Sequence, residues 1–174
     1  TWRWLIGSEW IPETMRDALE QHEERCRIEL AGDGLFVMVN DLTFEHTSDP
    51  AEVATLSAYA TQRFVITVRK HPLRTADDLR SAVRSGLRVE SGIDLLAKLF
   101  GLRMDALNEL VEAINDEVDD IEDQVLRGRV TEQRELLGRL RRVCARLRRG
   151  FAPERTALQK LVARPQKPPG DEEA

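Results

Sequence analysis

The chain has 174 residues and a net charge of −5, from 26 Lys and Arg against 31 Asp and Glu. This length suits one ordinary domain with an extension, and the acidic balance disfavours a general nucleic-acid-binding protein. No stretch approaches the ~20 apolar residues of a membrane-spanning helix, and charges from Arg3 onward interrupt any signal-peptide pattern. Cys26 and Cys144 lack metal-binding or redox spacing, which favours a soluble, intracellular setting. The first residue is Thr1 rather than Met, which fits either a processed protein or a piece of a longer one.

The pattern of apolar and polar residues in the first part of the chain predicts a small sheet with short helices. Large apolar residues at Trp2–Ile6 predict a strand, and Pro12 suits the start of a short amphipathic helix. The alternation at Cys26–Leu30 predicts a half-buried strand. Gly32-Asp33-Gly34 predicts a tight turn that leads into a more buried strand at residues 35–39.

A second strand pair follows this hairpin. Residues 53–60 and 64–68 have the composition of strands, and Gln62 and Arg63 lie at the turn between them. Two hairpins and one added strand predict an antiparallel or mixed sheet of about five strands. The fold class we expect is therefore α+β, with this sheet in an α/β head.

After Pro72 the apolar period changes from two to about 3.6, as in helices. Thr75 could cap one helix, because Asp78 stands three residues later as in a capping box. Ser91 and Asp94 give the same pattern at the start of the next helix.

The longest helix is predicted at residues 92–126. Ten apolar residues there keep an unbroken 4-3-4-3 spacing that is typical of a coiled-coil seam: Ile93, Ala97, Phe100, Met104, Leu107, Val111, Ile114, Val118, Ile121 and Val125. Such a helix is roughly 50 Å long, whereas a head of this size is only about 30 Å across. We therefore expect the helix to extend beyond its own head.

A second helix, at about residues 131–163, follows a break at Arg127-Gly128-Arg129. Leu137, Leu140, Cys144 and Leu147 continue a heptad seam, and an irregularity is expected at Gly150 and Pro153. The short connection predicts an antiparallel hairpin. The predicted organisation is a head at 1–90, a helical hairpin at 91–163 and a flexible tail at 164–174.

The two predicted helices carry opposite charges. Residues 104–126 contain nine acids and no Lys or Arg, whereas residues 127–149 contain nine arginines and two acids. Six acids form a stripe opposite the apolar seam: Asp105, Glu109, Glu112, Asp116, Asp119 and Asp123. This stripe is either a solvated surface or a loose site for divalent cations, which prefer carboxylate oxygens. The candidate metal ligands are Asp116, Asp119, Asp120 and Asp123.

The arginines of the second helix fall into two groups. Arg134, Arg141 and Arg148 flank the seam and could pair with acids across the hairpin, and the others are predicted on the far face, as follows: Arg139, Arg142, Arg146 and Arg149. Binding of nucleic acid is disfavoured, because aromatic stacking residues are missing between them and the acidic helix would repel phosphates.

No catalytic motif stands out in the sequence. His22, His46 and His71 are widely separated in the sequence. Glu45, His46 and Asp49 lie in one polar loop and could bind a soft metal, but triplets of this kind are common by chance. No phosphate loop, nucleophile elbow or metalloprotease motif is present. The tryptophans are interpreted as packing residues rather than a ligand cage: Trp2, Trp4 and Trp10. We therefore expect no enzyme activity and no tightly bound cofactor.

Several segments together resemble the cytoplasmic domain of the CorA metal-ion transporters. They are Leu35–Asn40 (LFVMVN), Arg63–Leu73 (RFVITVRKHPL) and Ile114–Glu122 (INDEVDDIE). The helix from Arg141 to Arg155 is most similar to the ZntB-like, zinc-transporting branch. The resemblance extends over roughly residues 2–162.

This resemblance implies a regulatory domain of a homopentameric transporter at the cytoplasmic face of the inner membrane. The acidic helices would line a cytoplasmic funnel, and Zn²⁺, Mg²⁺ or Co²⁺ would be the transported or regulatory ion. The family's stalk helix, two membrane helices and Gly-Met-Asn signature would lie beyond Ala174. The alternative is a bacterial coiled-coil interaction module with no role in transport.

Overall fold

A computed structural model describes residues 2–43, 53–128 and 130–163. The helices and strands follow one another in this order: α1 (Trp2–Ile6), α2 (Glu13–Glu20), β1 (Arg27–Ala31), β2 (Gly34–Leu42), β3 (Val53–Ala60), β4 (Val65–Arg69), α3 (Arg74–Arg84), α4 (Gly92–Leu126) and α5 (Val130–Val162). The α+β fold class is confirmed. The predicted tail and the loop with Glu45, His46 and Asp49 lie outside the described residues.

The described residues form a four-stranded antiparallel sheet with the order β1-β2-β3-β4. The predicted fifth strand, Trp2–Ile6, is instead the short helix α1. A five-residue apolar run fits either period, and here one side chain, Leu5, is buried in the core beneath the helix. The sequence pattern therefore placed the segment on the sheet incorrectly, and the expectation of about five strands was wrong by one.

The β1–β2 hairpin has the predicted tight turn. Ala31 pairs with Gly34, and Gly32 between them has a φ of +59°, which favours glycine. A Cβ atom at Gly34 would lie 2.5 Å from the carbonyl oxygen of Ala60 on β3. The two glycines thus have different roles, since Gly32 allows the turn and Gly34 allows close strand packing.

Each face of the sheet supports its own core. One face packs under α1 and α2 through Phe36, Met38 and Tyr59. The other face packs under the long helices through Val37, Leu56 and other buried residues. Trp4 and Trp10 are not members of either core and are 65% and 58% exposed, so neither is a core residue. In the described part of the chain, the aromatic contact of Trp10 is an edge-to-face one with Phe64.

The helix starts differ in how well the sequence predicted them. Ser91 caps α4 as expected, because its hydroxyl accepts a hydrogen bond of 3.0 Å from the backbone N–H of Asp94. Thr75 does not cap α3, which begins at Arg74 after Leu73. The Thr75 side chain is fully buried and donates its hydroxyl hydrogen to Asp41 instead.

The long helices pack through faces that coincide only in part with the predicted seams. We define the inward stripe of α4 as one helical row of buried or half-buried residues along its length: Gly92, Leu96, Leu99, Arg103, Ala106, Leu110, Ile114, Glu117, Ile121 and Gln124. Four further residues of the predicted seam are half-buried beside this row: Ile93, Phe100, Leu107 and Val118. The inward stripe of α5 is defined in the same way: Gln133, Leu136, Leu140, Val143, Leu147, Gly150, Glu154, Ala157 and Leu161. Both stripes keep helical spacing, and both include polar residues.

Several residues of the predicted all-apolar seams are consequently exposed. On α4, Met104 and Val111 are 52% and 49% exposed, and on α5, Leu137 is 45% exposed. The seam prediction is correct near Ile121 but displaced by one residue near the head. The reason is that polar side chains at inward positions find partners across the helices, so burial does not require an apolar residue there.

The hairpin itself is built as predicted. Gly128 has a φ of +87° in the connection between α4 and α5. Near the head, α4 joins the core of the sheet through Leu96 and Leu99. The α5 helix is continuous through Gly150 and Pro153, so the irregularity expected there is not a break; Pro153 lies inside the helix and leaves one backbone hydrogen bond unmade.

Candidate functional site

The acidic stripe of α4 lies on the solvent side of the helix. All six of its members are exposed, as is Asp120 beside them. The four candidate ligands, Asp116, Asp119, Asp120 and Asp123, stand at i, i+3, i+4 and i+7 and therefore share one face. Their arrangement makes a strip of exposed carboxylates, which is suited to hydrated cations rather than to an enclosed site.

Two of the carboxylates in the acidic stripe form ion pairs with arginines in the described part of the chain. Arg74 on α3 lies 2.6 Å from Glu109, and Arg127 lies 3.5 Å from Asp123. Among the described residues, no group of three or more His, Cys, Asp or Glu side chains is placed to hold a metal ion. The assignment of Asp116, Asp119, Asp120 and Asp123 as metal ligands therefore stays a prediction.

An ion pair crosses the hairpin between Arg139 on α5 and Glu117 on α4. The interpretation of Arg139 as a far-face residue is therefore wrong. Arg134, Arg141 and Arg148, which flank the predicted seam, are exposed. The packed face of α5 coincides with the predicted seam at Leu140 and Leu147 but not at Leu137 and Cys144, so an arginine outside the expected group pairs with α4.

A buried ion pair joins α4 and α5 close to the sheet. Arg103 is 2% exposed and Glu154 is 7% exposed, and Arg103 Nη2 lies 2.5 Å from Glu154 Oε1. The Arg103 guanidinium also lies between two aromatic rings, 5.5 Å from the centroid of Phe100 and 5.2 Å from that of Phe151. Stacking and pairing together satisfy a charge that would be costly to bury alone.

This pair also completes the edge of the sheet. The strand β1 begins at Arg27, opposite Met38, so it does not reach Asn40 on β2. The carbonyl oxygen of Asn40 accepts a 2.6 Å hydrogen bond from Arg103 Nε, and its N–H donates to Glu154 Oε1 at 3.2 Å. Two side chains thus take the place of a missing strand, and they fix both long helices to the head. We call Arg103, Glu154 and Asn40 the buried joint.

A second buried acid lies beside the joint. Asp41 is fully buried on β2, where it accepts hydrogen bonds from the Thr75 hydroxyl and, at 2.9 Å, from the backbone N–H of Leu42. Burial raises the pKa of Asp41, and the Thr75 hydrogen bond and Arg103 oppose that rise. Burial likewise raises the pKa of Glu154, again opposed by its bond to Arg103.

The raised pKa of Asp41 gives a pH prediction with a defined sign. The stability that depends on this carboxyl is complete below its ordinary pKa of 3.8 and is lost as the pH rises through the raised value. Asp41→Asn removes the titration, so the stability of the variant relative to the wild type should increase as the pH rises from about 4 towards neutral. Urea unfolding across this range measures the difference, and Asp17→Asn on α2 is the exposed control. A difference that is flat with pH contradicts the prediction.

Cys26 lies close to the buried joint. Burial raises the pKa of its thiol to about 11, with Glu154 adding to the rise and Arg103 opposing it. A thiol with so high a pKa stays protonated at neutral pH and is a poor nucleophile. Cys26 and Cys144 are both free thiols.

The fold also brings together two histidines that the sequence separates. His22 and His71 line one cavity of about 350 Å³ between the end of α2 and the open part of the sheet. His22 Nδ1 lies 3.0 Å from the carbonyl oxygen of Leu19. A salt bridge of 3.2 Å between Lys70 and Glu24 joins two further residues that line this cavity.

Sequence reasoning missed the buried joint, although a signal for it exists. Arg103 is the only basic residue between positions 99 and 126, and Glu154 is the only acid between 136 and 170. A single charged residue in a segment whose other charges all have the opposite sign indicates a specific partner for that residue. Both residues also fall on the helical stripe that turns out to be inward.

Comparison with solved structures defines the class of this fold. The cytoplasmic domain of ZntB from Vibrio parahaemolyticus aligns with 88% of this chain and 61% of its own, with a TM-score of 0.69 and 16% identity. The soluble domain of CorA from Methanocaldococcus jannaschii aligns with 84% of this chain and 58% of its own, with a TM-score of 0.67 and 21% identity. The head and hairpin are therefore the fold of CorA-type soluble domains.

The chain belongs to the family of CorA-like Mg²⁺ transporter proteins, whose sequence profile matches residues 3–174. It is 24% identical over 160 residues to the zinc transport protein ZntB of Yersinia enterocolitica, covering 92% of this chain and 49% of that protein. The full-length CmaX protein has a TM-score of 0.80 and 26% identity, over 93% of this chain and 50% of that one. The chain thus spans about half the length of the curated relatives it matches. Within the described part of the chain, no helix is both long and apolar enough to cross a bilayer.

Proposed function

We propose that this chain is the cytoplasmic regulatory domain of a CorA/ZntB-like transporter, which moves divalent cations across the inner membrane. Family membership supports transport as the process, and the relatives named for zinc transport favour Zn²⁺, with Mg²⁺ and Co²⁺ as alternatives. Such a domain has a binding and regulatory role rather than an enzymatic one. The membrane helices would belong to the part of the relatives that this chain does not span.

The observation that carries the proposal is the exposed strip of four carboxylates on α4. These like charges repel one another, so cations near Asp116, Asp119, Asp120 and Asp123 would stabilise the helix by lowering that repulsion. In the assembled transporter, which we propose to be a homopentamer, the strips would line the cytoplasmic funnel. Cation binding would favour one packing of neighbouring subunits, provided that the two packings bind cations with different affinities.

Thermal unfolding with added Zn²⁺, Mg²⁺ or Co²⁺ tests the site. A cation at ten times its Kd stabilises the folded state by about 1.4 kcal/mol, which raises the Tm of a domain of this size by about 3–5 °C. A variant with Asp116, Asp119, Asp120 and Asp123 all changed to Asn should lose this shift. NaCl at equal ionic strength separates site binding from screening.

The matched control removes four exposed acids elsewhere, as Glu13→Gln, Asp17→Asn, Glu20→Gln and Glu90→Gln. It changes the net charge by the same amount and should keep the metal-dependent shift. If both variants lose the shift equally, general charge screening explains it and the site is wrong. If the wild type shows no shift at millimolar metal, cation binding by this domain is wrong. Mass measurement of the full-length protein tests the pentamer.

A further inference from the structure

A small pocket lies at the turn end of the sheet, far in sequence from the acidic helix. It has a volume of about 300 Å³ and lies between the segment before α2, the β1–β2 turn and the β3–β4 hairpin. Trp10, Tyr59 and Phe64 contribute aromatic rings to its lining, and Glu9 and Asp33 contribute carboxylates. We call this the aromatic pocket. Its volume is at the lower end of the range for small-ligand sites.

The rings of the aromatic pocket are set at steep angles to one another. Trp10 and Phe64 have centroids 5.4 Å apart and an interplanar angle of 79°, and Tyr59 and Phe64 are 6.2 Å apart at 63°. Both angles are those of the edge-to-face packing that aromatic pairs prefer. Tyr59 is buried, so Trp10 and Phe64 are the rings that present surface to the pocket, and their steep angle lets the two rings contact different sides of one rounded group.

Core packing does not account for Trp10. Its side chain is 58% exposed, and it lies outside both core clusters, whereas Tyr59 is 4% exposed within one of them. The large apolar surface of a tryptophan is usually more buried than this in a soluble domain. An exposed tryptophan that leans on Phe64 beside an open pocket is instead typical of a binding surface.

The charge of the pocket selects the kind of ligand. Apart from Tyr59, the ionisable side chains among its described lining residues are the two acids, Glu9 and Asp33. Tyr59 Oη lies 2.9 Å from Asp33 Oδ1 and 3.1 Å from the carbonyl oxygen of Ala31, so its hydroxyl helps to hold Asp33 in place. Burial, with Asp33 adding to the effect, raises the pKa of Tyr59 to about 12, so this hydroxyl stays a donor at neutral pH.

We propose that the aromatic pocket binds a quaternary ammonium group of the choline type. The ring faces attract a cation through their quadrupoles, and the methyl groups of such a cation fit an apolar corner that a hydrated metal ion would not enter. The two carboxylates supply the opposite charge at the rim. This site is separate from the acidic strip of α4, so the proposal does not depend on the proposed function.

Titration with choline tests the pocket, followed by NMR of the tryptophan indole groups, which resolves Trp10 from Trp2 and Trp4. The comparison probe is the uncharged isostere of choline in which carbon replaces nitrogen. Choline should shift the Trp10 signal and bind at least about fivefold more tightly than the isostere. Equal binding of the two probes overturns the proposal, because it would show a purely apolar contact.

Variants locate the binding site. Trp10→Ala should weaken choline binding by about five- to thirtyfold, and Trp4→Ala, at a 65% exposed position of α1 outside the pocket, should leave it unchanged. Glu9→Gln changes an exposed residue without altering the core and should weaken binding at low salt. Wild-type affinity in both Trp10→Ala and Glu9→Gln overturns the proposal, even if one of them is less stable.

A vesicle experiment separates the two sources of this group. Binding to phosphatidylcholine vesicles that is lost in Trp10→Ala identifies a lipid headgroup as the ligand. Binding to free choline without vesicle binding identifies a soluble cation. Vesicle binding that persists in Trp10→Ala, without any choline effect on Trp10, contradicts the proposal.

Discussion

Replacing Arg103 with methionine is expected to lower the free energy of unfolding by about 3–5 kcal/mol. The change leaves Glu154 buried without its partner and removes the donor to the carbonyl oxygen of Asn40. Methionine has a similar length and can still pack between Phe100 and Phe151, so the loss would come from the unpaired polar groups rather than from a cavity. Urea denaturation of the two proteins measures the difference.

Two controls separate this effect from the general loss of an ion pair. Arg74→Met removes an exposed partner of Glu109 and should cost less than about 1 kcal/mol. In the double variant Arg103→Met with Glu154→Met, no buried charge is stranded, and stability should recover in part. It should stay about 1–3 kcal/mol below the wild type, because the N–H and carbonyl groups of Asn40 then lack partners. A single variant within about 1 kcal/mol of the wild type would show that the buried joint does not hold the helices.

The second large effect is expected at Gly92, the first residue of α4. A Cβ atom there would lie 2.3 Å from the carbonyl oxygen of Phe64 and 2.4 Å from that of Thr61. Both neighbours are backbone atoms of the β3–β4 turn and cannot move aside like a flexible side chain. Gly92→Ala should therefore destabilise the protein by about 1–3 kcal/mol, despite the better helix propensity of alanine.

Gly101 provides the matched control in the same helix. A Cβ atom at this position would meet nothing within 4 Å. Gly101→Ala should therefore stabilise the protein by about 0.5–1 kcal/mol, because alanine has the better helix propensity. Thermal and chemical unfolding of both variants measure the two signs. A neutral Gly92→Ala would mean that α4 does not pack closely against the turn.

Local signals in the sequence were sufficient for most of the fold. Gly32-Asp33-Gly34 predicted the hairpin because only certain residues tolerate its backbone angles, and Ser91 with Asp94 predicted the start of α4. The bounds predicted for α4 agree with the observed Gly92–Leu126. By contrast, Trp2–Ile6 is too short for its apolar pattern to distinguish a strand from a helix, and tertiary contacts decided it.

The site was harder to predict because its important contacts are long-range. Thr75 matched a capping pattern locally, but the buried carboxylate of Asp41, 34 positions away, binds its hydroxyl instead. The search for apolar seams excluded Arg103 and Glu154 from the outset, since both are charged. Each of these charges can be buried only because it pairs with the other, and the sequence of one helix alone does not reveal its partner on the other helix. The exposed carboxylates of α4, in contrast, were placed correctly, because helical spacing alone sets their common face.

The continuous α4 rod also has a mechanical consequence. The helix continues from Arg103 to Leu126, a distance of roughly 35 Å. If it pivots at the buried joint, a tilt of about 5° displaces its distal end by about 3 Å, which is the length of a hydrogen bond. Such a pivot would make α4 a lever arm, because small angular changes at the buried joint would become displacements large enough to break contacts at the far end of the helix.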